Sequence, residues 1–145
     1  MGITVSIDQS GLDWINALPG NFKTGYYRGI RDAMLFAEDK AKDSFGKVGK
    51  LKVKTGKLRS SIIGESDEDR GSLHSNVIYA PVHEFGKVIN AKSARGLRYQ
   101  IGGVWKRSKQ VIIPERPFLR PAFEDNMDEI ANIITDAIIG DMANG

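Results

Sequence analysis

The pair His83–Glu84, in the stretch YAPVHEFG, combines two residue types that commonly transfer protons or bind zinc. A zinc peptidase places a second histidine three residues after the glutamate, and this chain has Lys87 there. The only other histidine is His74, and no sequence pattern brings it close to His83 and a carboxylate. The sequence therefore predicts no catalytic residues and no metal site, although a small hydrolase centred on His83 stays open.

The stretch TGKLRSS, residues 55–61, contains the Gly-Lys pair of a phosphate-binding loop. Such a loop also requires a glycine five residues before that pair and a serine or threonine directly after the lysine. Leu51 and Leu58 occupy those two positions. We therefore expect no nucleotide and no other cofactor.

Charge is distributed unevenly along this chain of net charge +3. Residues 47–59 contain six bases and no acid, and residues 87–109 contain seven bases and no acid. Residues 124–145 contain six acids and no base. This segregation predicts a surface with a positive side and a negative side.

The basic segments have three interpretations. They are solvated loops, or they follow a phosphate backbone while Tyr99 and Trp105 stack on bases, or they contact an acidic surface. The C-terminal helix of another copy supplies such a surface. The third interpretation predicts a charged interface between Lys106, Arg107 and Lys109 on one side and Glu124, Asp125, Asp128 and Glu129 on the other.

Length and composition set further bounds. A chain of 145 residues is expected to form a single domain, residues 1–145. Because it contains no cysteine, disulfides and thiolate metal sites are excluded. Since it has no apolar run of membrane-spanning length and no signal-peptide pattern, we expect no membrane partner.

Periodicity predicts an α+β fold with an antiparallel sheet of four to five strands between two amphipathic helices. The first helix is expected from about Phe22 to Phe45, and the last from Pro117 to Ile139, stopped by Gly140. A short helix is expected after Ser10. Residues 86–112 are predicted to form a mobile basic loop or hairpin. The strands are expected in ITVSID, SSIIGES, SLHSNVIYA and GLRYQIGGVWKRSKQVII.

The same periodicity predicts which side chains form the hydrophobic core. They are Tyr26, Ile30, Met34, Ala37, Ile62, Val77, Tyr79, Phe85, Phe118, Phe123, Met127, Ile130 and Ile134. In YAPVHEFG, we expect Phe85 to anchor a single helical turn in this core, with His83 and Glu84 shaping the junction.

Three segments occur in a characteristic order: KTGKLRSSI (54–62), YAPVHEFG (79–86) and IPERPFLRPAFE (113–124). The ordered set resembles the phage virion-morphogenesis and tail-completion proteins, which are minor tail proteins of long-tailed phages and Mu-like prophages. The family pattern falls on Thr55, Gly56, Leu58, Arg59, Ser61, Tyr79, Ala80, His83, Glu84, Phe85, Gly86, Pro117, Phe118, Leu119 and Pro121.

This resemblance implies a non-enzymatic phage or prophage protein that acts in tail completion or head–tail joining. It implies phage tail or neck proteins as partners and a homo-oligomer, a hexameric ring, in the virion. The free protein would be weakly associated or monomeric, and would reside in the bacterial host cytoplasm during assembly. The alternative is a nucleic-acid-binding module that uses the basic loops 47–59 and 87–109, with contact to phage DNA.

Overall fold

The computed structural model describes residues 19–47, 51–53, 55–67 and 70–144, and the backbone of residues 3–8. Their elements are β1 (Ile3–Asp8), α1 (Gly20–Asp43), α2 (Lys57–Ser60), β2 (Ile62–Asp67), β3 (Arg70–Ser75), α3 (Ala80–Phe85), β4 (Lys87–Asn90), β5 (Leu97–Ile101), β6 (Val104–Ser108), β7 (Gln110–Ile113), α4 (Arg120–Glu124) and α5 (Met127–Asn144). This mixed α and β composition, with a long helix near each end, was predicted from the sequence. The short helix predicted after Ser10 lies outside the described residues.

Helix α1 is the centre of the fold, because it packs against α5 on one side and against β2 and β3 on the other. Its predicted core positions Tyr26, Ile30, Met34 and Ala37 are all buried. Their spacing of three or four residues places them along one side of the helix. This stripe therefore joins the sheet to the second long helix.

Two glycines allow α1 and α5 to approach backbone to backbone. A Cβ atom at Gly25 would lie 2.7 Å from the Cα of Ile138, and one at Gly29 would lie 2.8 Å from the Cα of Ile134. These separations leave no room for a side chain. The two positions therefore set the spacing of the helix pair.

The main sheet has three described strands in the order β1-β3-β2, and both pairings are antiparallel. The prediction of four to five strands in one sheet is not confirmed, since β4 pairs with β7 and β5 with β6. At the edge strand β2, Glu38 of α1 accepts a hydrogen bond from the Gly64 N–H at 2.8 Å. The Gly64 N–H at this sheet edge is therefore hydrogen-bonded by a helix side chain and not by a further strand.

The core prediction is wrong at three positions. Tyr79 is 37% exposed, Phe85 is 59% exposed and Met127 is 54% exposed. In α3 the buried residues are Ala80 and Glu84, four residues apart on one face of the helix. Phe85 lies on the other side, so it does not anchor this turn.

The predicted C-terminal helix is interrupted and extends further than expected. It forms α4 and α5 with a break at residues 125–126, and α5 continues through Gly140. Glycine inside a helix costs only about 1 kcal/mol relative to alanine. Arg28 of α1 holds this turn through a 2.7 Å ion pair to Asp141 and a 3.1 Å hydrogen bond to the Ala137 carbonyl. Tertiary packing therefore outweighs the local stop signal.

Candidate functional site

Glu84 is completely buried, and its carboxylate connects α3 to the start of α4. Oε2 accepts hydrogen bonds from the N–H groups of Phe118 at 2.8 Å and Leu119 at 3.0 Å, and Oε1 accepts one from Arg120 at 2.8 Å. Both oxygens are therefore engaged by main-chain donors at a helix start, where negative charge is favourable. This arrangement gives Glu84 a structural role and leaves it unsuited to proton transfer.

His83 is next to Glu84 in the chain, but its side chain contacts different groups. Its ring meets the Tyr79 ring edge-on, with centroids 5.9 Å apart, and its carbonyl accepts the Arg116 N–H at 2.7 Å. Burial lowers the pKa of His83 from its usual 6.5, and the positive charge of Arg116 lowers it further. The imidazole is therefore neutral at pH 7.

Replacing His83 by glutamine is expected to weaken the pH dependence of stability below pH 6.5. The folded protein holds the proton less tightly than the unfolded chain, so stability is lost as pH falls from 6.5 towards the folded pKa. Glutamine does not titrate, so the variant does not lose stability in this way as pH falls. Urea unfolding of both proteins across this window checks the expectation, and identical pH profiles would contradict it.

His83 and Tyr79 open onto a pocket of about 610 Å³. Its other lining residues are Phe45, Leu51, Lys52, Val53, Thr55, Gly56, Leu58, Arg59 and Arg116. All three sequence motifs thus contribute to one concave surface, although they are far apart in the chain. The motif reasoning missed Arg116, which the third segment contains, and the apolar and basic alternation at Leu51, Lys52 and Val53.

The pocket has apolar walls and a positive rim. Lys52, Arg59 and Arg116 are exposed, and none of the described residues that line the pocket is acidic. The Nε of Arg59 donates to the Lys42 carbonyl at 3.1 Å, which anchors that guanidinium at the rim. Such a surface suits a ligand that offers an apolar group together with negative charge.

A second distinctive surface is the arm, residues 87–113, which follows α3. It consists of two antiparallel ribbons: β4 with β7, and β5 with β6. Within the described chain, these four strands form sheets only with one another. The hairpin predicted for this region is present.

Cross-strand register divides the β5–β6 ribbon into two faces. One face carries Arg98, Gln100, Trp105 and Arg107, and the Arg98 guanidinium lies 4.4 Å from the centre of the Trp105 ring. The opposite face carries Leu97, Tyr99, Ile101, Val104, Lys106 and Ser108. Lys106 and Arg107, which the sequence reasoning placed in one interface, therefore lie on opposite faces.

The mobility predicted for the arm stays a prediction. Two-stranded ribbons are marginally stable alone in water, and this one exposes Ile101, Val104 and Trp105. We expect amides of β5 and β6 to exchange hydrogen faster than those of β2 and β3 in the free protein. Exchange as slow as in the main sheet would contradict this expectation.

The acidic corner, residues 124–129, lies where α4 passes into α5. Glu124, Asp125, Asp128 and Glu129 are exposed there around the side chain of Met127. Asp128 and Glu129 occupy the first turn of α5, where they complement the helix dipole. The corner therefore joins negative charge to one exposed apolar group.

The sequence profile of the phage virion morphogenesis family matches residues 34–138, well over half of the chain. The chain belongs to this family. No curated protein and no solved structure gives a significant match. In this phage virion morphogenesis protein, the matched range begins in α1, ends in α5 and includes the pocket and the arm.

Several residues of the three predicted motifs lie outside the pocket. Ser61 exchanges a hydrogen bond with Ser75 at 2.7 Å, which joins the end of α2 to β3. Gly86 has a φ of 70°, and a Cβ there would lie 2.8 Å from the Glu115 nitrogen, so other residues fit poorly. The buried motif residues outside the pocket are Ala80, Glu84, Phe118 and Leu119, and Pro117 and Pro121 lie on either side of the last two.

The described part of the family member contains no cluster of three or more potential metal-binding side chains. None of its described helices is long and apolar enough to cross a membrane.

Proposed function

We propose that the protein is a non-enzymatic structural subunit of a phage or prophage that acts in tail completion or head–tail joining. The observation that carries the proposal is that all three family motifs build or support one pocket. A surface made from the residues that mark the family is the natural place for the contact that the family requires. This pocket receives a tail or neck protein.

The chemistry of the pocket favours docking over catalysis. A hydrolase centred on His83 needs a nucleophile and a carboxylate beside the imidazole. The described lining offers no carboxylate, and the neighbouring Glu84 is held by main-chain donors. His83 therefore acts as a wall of the pocket.

The distribution of charge favours assembly into a ring. One subunit presents a basic arm and an acidic corner, so the two surfaces of a contact between copies are different. Contacts of this kind form a ring when the rotation from copy to copy closes. A hexameric ring matches the six-fold symmetry that the family resemblance implies for a tail.

Deleting the gene is expected to leave tails that are unfinished or fail to join heads, and supplying the protein should restore them. Electron microscopy of lysates made with and without the protein measures this directly. Wild-type numbers of complete particles without the protein would refute the proposal. The protein is expected in the tail or neck of the finished virion and in the host cytoplasm before assembly.

A second candidate function, nucleic-acid binding, is favoured by one face of the arm. Arg98, Trp105 and Arg107 lie together there, and a two-stranded ribbon fits the major groove of DNA. If the face contacts phage DNA, replacing both arginines by glutamate should reduce duplex affinity and flatten its salt dependence. Fluorescence anisotropy against salt concentration tests this. Equal binding by both proteins rules it out.

A further inference from the structure

One face of the arm is apolar and uncovered. Ile101 is 56% exposed and Val104 is 60% exposed, and they pair across the hairpin beside Tyr99 and Leu97. Lys106 is the only charged residue of the β5–β6 ribbon on this face. Contiguous exposed apolar surface of this kind commonly marks an interaction site.

Helix α5 carries a matching stripe on the side that faces away from α1. Ile139 and Met142 are 59% and 51% exposed, and the exposed Ala131 lies on the same side of the helix. The opposite side carries Ile130, Ile134 and Ala137, which pack towards α1. The outer stripe, defined as Ala131, Ile139 and Met142, is not covered by the described part of the subunit.

The charges around the two surfaces are opposite. Residues 87–109 contain seven bases and no acid, whereas residues 124–145 contain six acids and no base. Asp128 and Asp136 border the outer stripe, while Lys106 and Lys109 lie on the arm. Exposed ion pairs contribute only about 0–1 kcal/mol each, so these charges set orientation while the apolar surfaces supply affinity.

The two surfaces also agree in size. Five residues of a strand extend about 17 Å, and the eleven residue steps from Ala131 to Met142 also extend about 17 Å along the helix. The ribbon can therefore cover most of the stripe. Both surfaces are exposed in the same subunit, so each is available to a different copy.

We propose that the apolar face of the arm of one subunit docks on the outer stripe of α5 in the next. This inference rests on the proposed function and names the contact that builds the ring. The contact leaves one arm and one stripe free on each pair of subunits, so it can be repeated from copy to copy and forms a ring when the rotation closes. The opposite face of the arm, with Arg98 and Arg107, stays available for another partner.

The absence of cysteine from the sequence allows the contact to be trapped with introduced disulfides. The test variants combine Val104→Cys with Ala131→Cys, Ile139→Cys or Met142→Cys, so that both directions of the arm are covered. The matched controls carry Trp105→Cys, because Trp105 is 59% exposed and adjacent but lies on the opposite face. Each variant is expressed in place of the wild type, and tails and free protein are oxidised and run on non-reducing gels.

At least one Val104→Cys variant is expected to give a ladder of covalent oligomers, at least tenfold stronger than its Trp105→Cys control. The reason is that a disulfide forms only when the two Cα atoms lie within about 7 Å. Equal ladders from both series, no ladder from either, or a disulfide confined to a single chain would overturn the docking. Binding of duplex DNA that protects Val104→Cys from modification would assign the apolar face to nucleic acid and would overturn it as well.

A second experiment separates failure of this contact from failure of the proposed function. Lys106→Glu is expected to reduce oligomers and complete tails, and Asp128→Lys or Asp136→Lys in the same chain should restore part of both. Complete tails with Val104→Glu would refute the arm contact alone. Complete tails without any of this protein would refute the assembly function itself.

Discussion

Replacing Glu84 by alanine is expected to lower the free energy of unfolding by about 3–5 kcal/mol. The change leaves the buried N–H groups of Phe118, Leu119 and Arg120 without their acceptor, and it opens a space between α3 and α4. Since folded domains are stable by only about 5–15 kcal/mol, this single change removes much of the total. Glutamine retains an acceptor oxygen but presents an amide to a donor, so it should cost about 1–3 kcal/mol.

Urea unfolding of the wild type, Glu84→Gln and Glu84→Ala, followed by circular dichroism, measures whether their stability decreases in that order. Glu115→Ala is the matched control, because Glu115 lies close to the same loop but its side chain is 61% exposed and its partner Arg120 is 3.9 Å away. Its effect should stay within about 0.5 kcal/mol. If Glu84→Ala were as mild as Glu115→Ala, the carboxylate would not be the element that joins the second and third motifs.

Replacing Val53 by aspartate is expected to reduce the yield of completed particles at least tenfold while the protein stays folded. Val53 is 52% exposed on the wall of the pocket, so the change costs little stability. It places a negative charge on an apolar wall, which costs desolvation on docking and repels an acidic partner. A loss of 1.4 kcal/mol of binding energy already corresponds to about a tenfold loss of affinity.

Leu35→Asp serves as the control for the pocket. Leu35 is 50% exposed on α1 and does not line the pocket, so the same change in chemistry is made at another exposed apolar site. Particle counts by electron microscopy and infectious titre should fall with Val53→Asp only. Equal yields from the two variants, at equal protein levels, would remove the pocket from the account of assembly.

Local patterns were sufficient to predict the helices that hold the pocket. The spacing of Tyr26, Ile30 and Met34 identifies the buried side of α1, because one helix face is read directly from periodicity. Ile130 identifies the buried side of α5 in the same way. The motif residues Leu58, Tyr79 and His83 were also found from the sequence, although only the structure brings them together.

The positions whose burial was predicted wrongly are determined by contacts with residues that are distant in the sequence. The buried Glu84 accepts hydrogen bonds from main-chain N–H groups more than thirty residues later, and no local pattern indicates these donors. Phe85, the better apolar candidate, is left outside as a consequence. Strand pairing is also non-local, so the segment that forms β5 to β7 could be recognised as strand-forming, whereas β4 and its pairing with β7 in a separate arm were not predicted.

The Glu38 contact is another feature that sequence patterns do not reveal. Burial raises the pKa of Glu38, but hydrogen bonds from Lys42 and from the Gly64 N–H lower it more, so the net shift is downward. The side chain therefore stays charged at neutral pH while it satisfies the sheet edge. Lys42 lies four residues from Glu38 on the same helix, but only the packing of α1 on β2 brings the Gly64 N–H to Glu38.

The most direct test of the account is a reconstruction by electron cryomicroscopy of completed particles that carry this protein. We expect a hexameric ring at the end of the tail that meets the head. Its motif pocket should be occupied by a neighbouring tail or neck protein, and each arm should contact the adjacent copy. Particles that are complete and infectious but contain no copy of the protein would contradict the claim that it is a structural subunit.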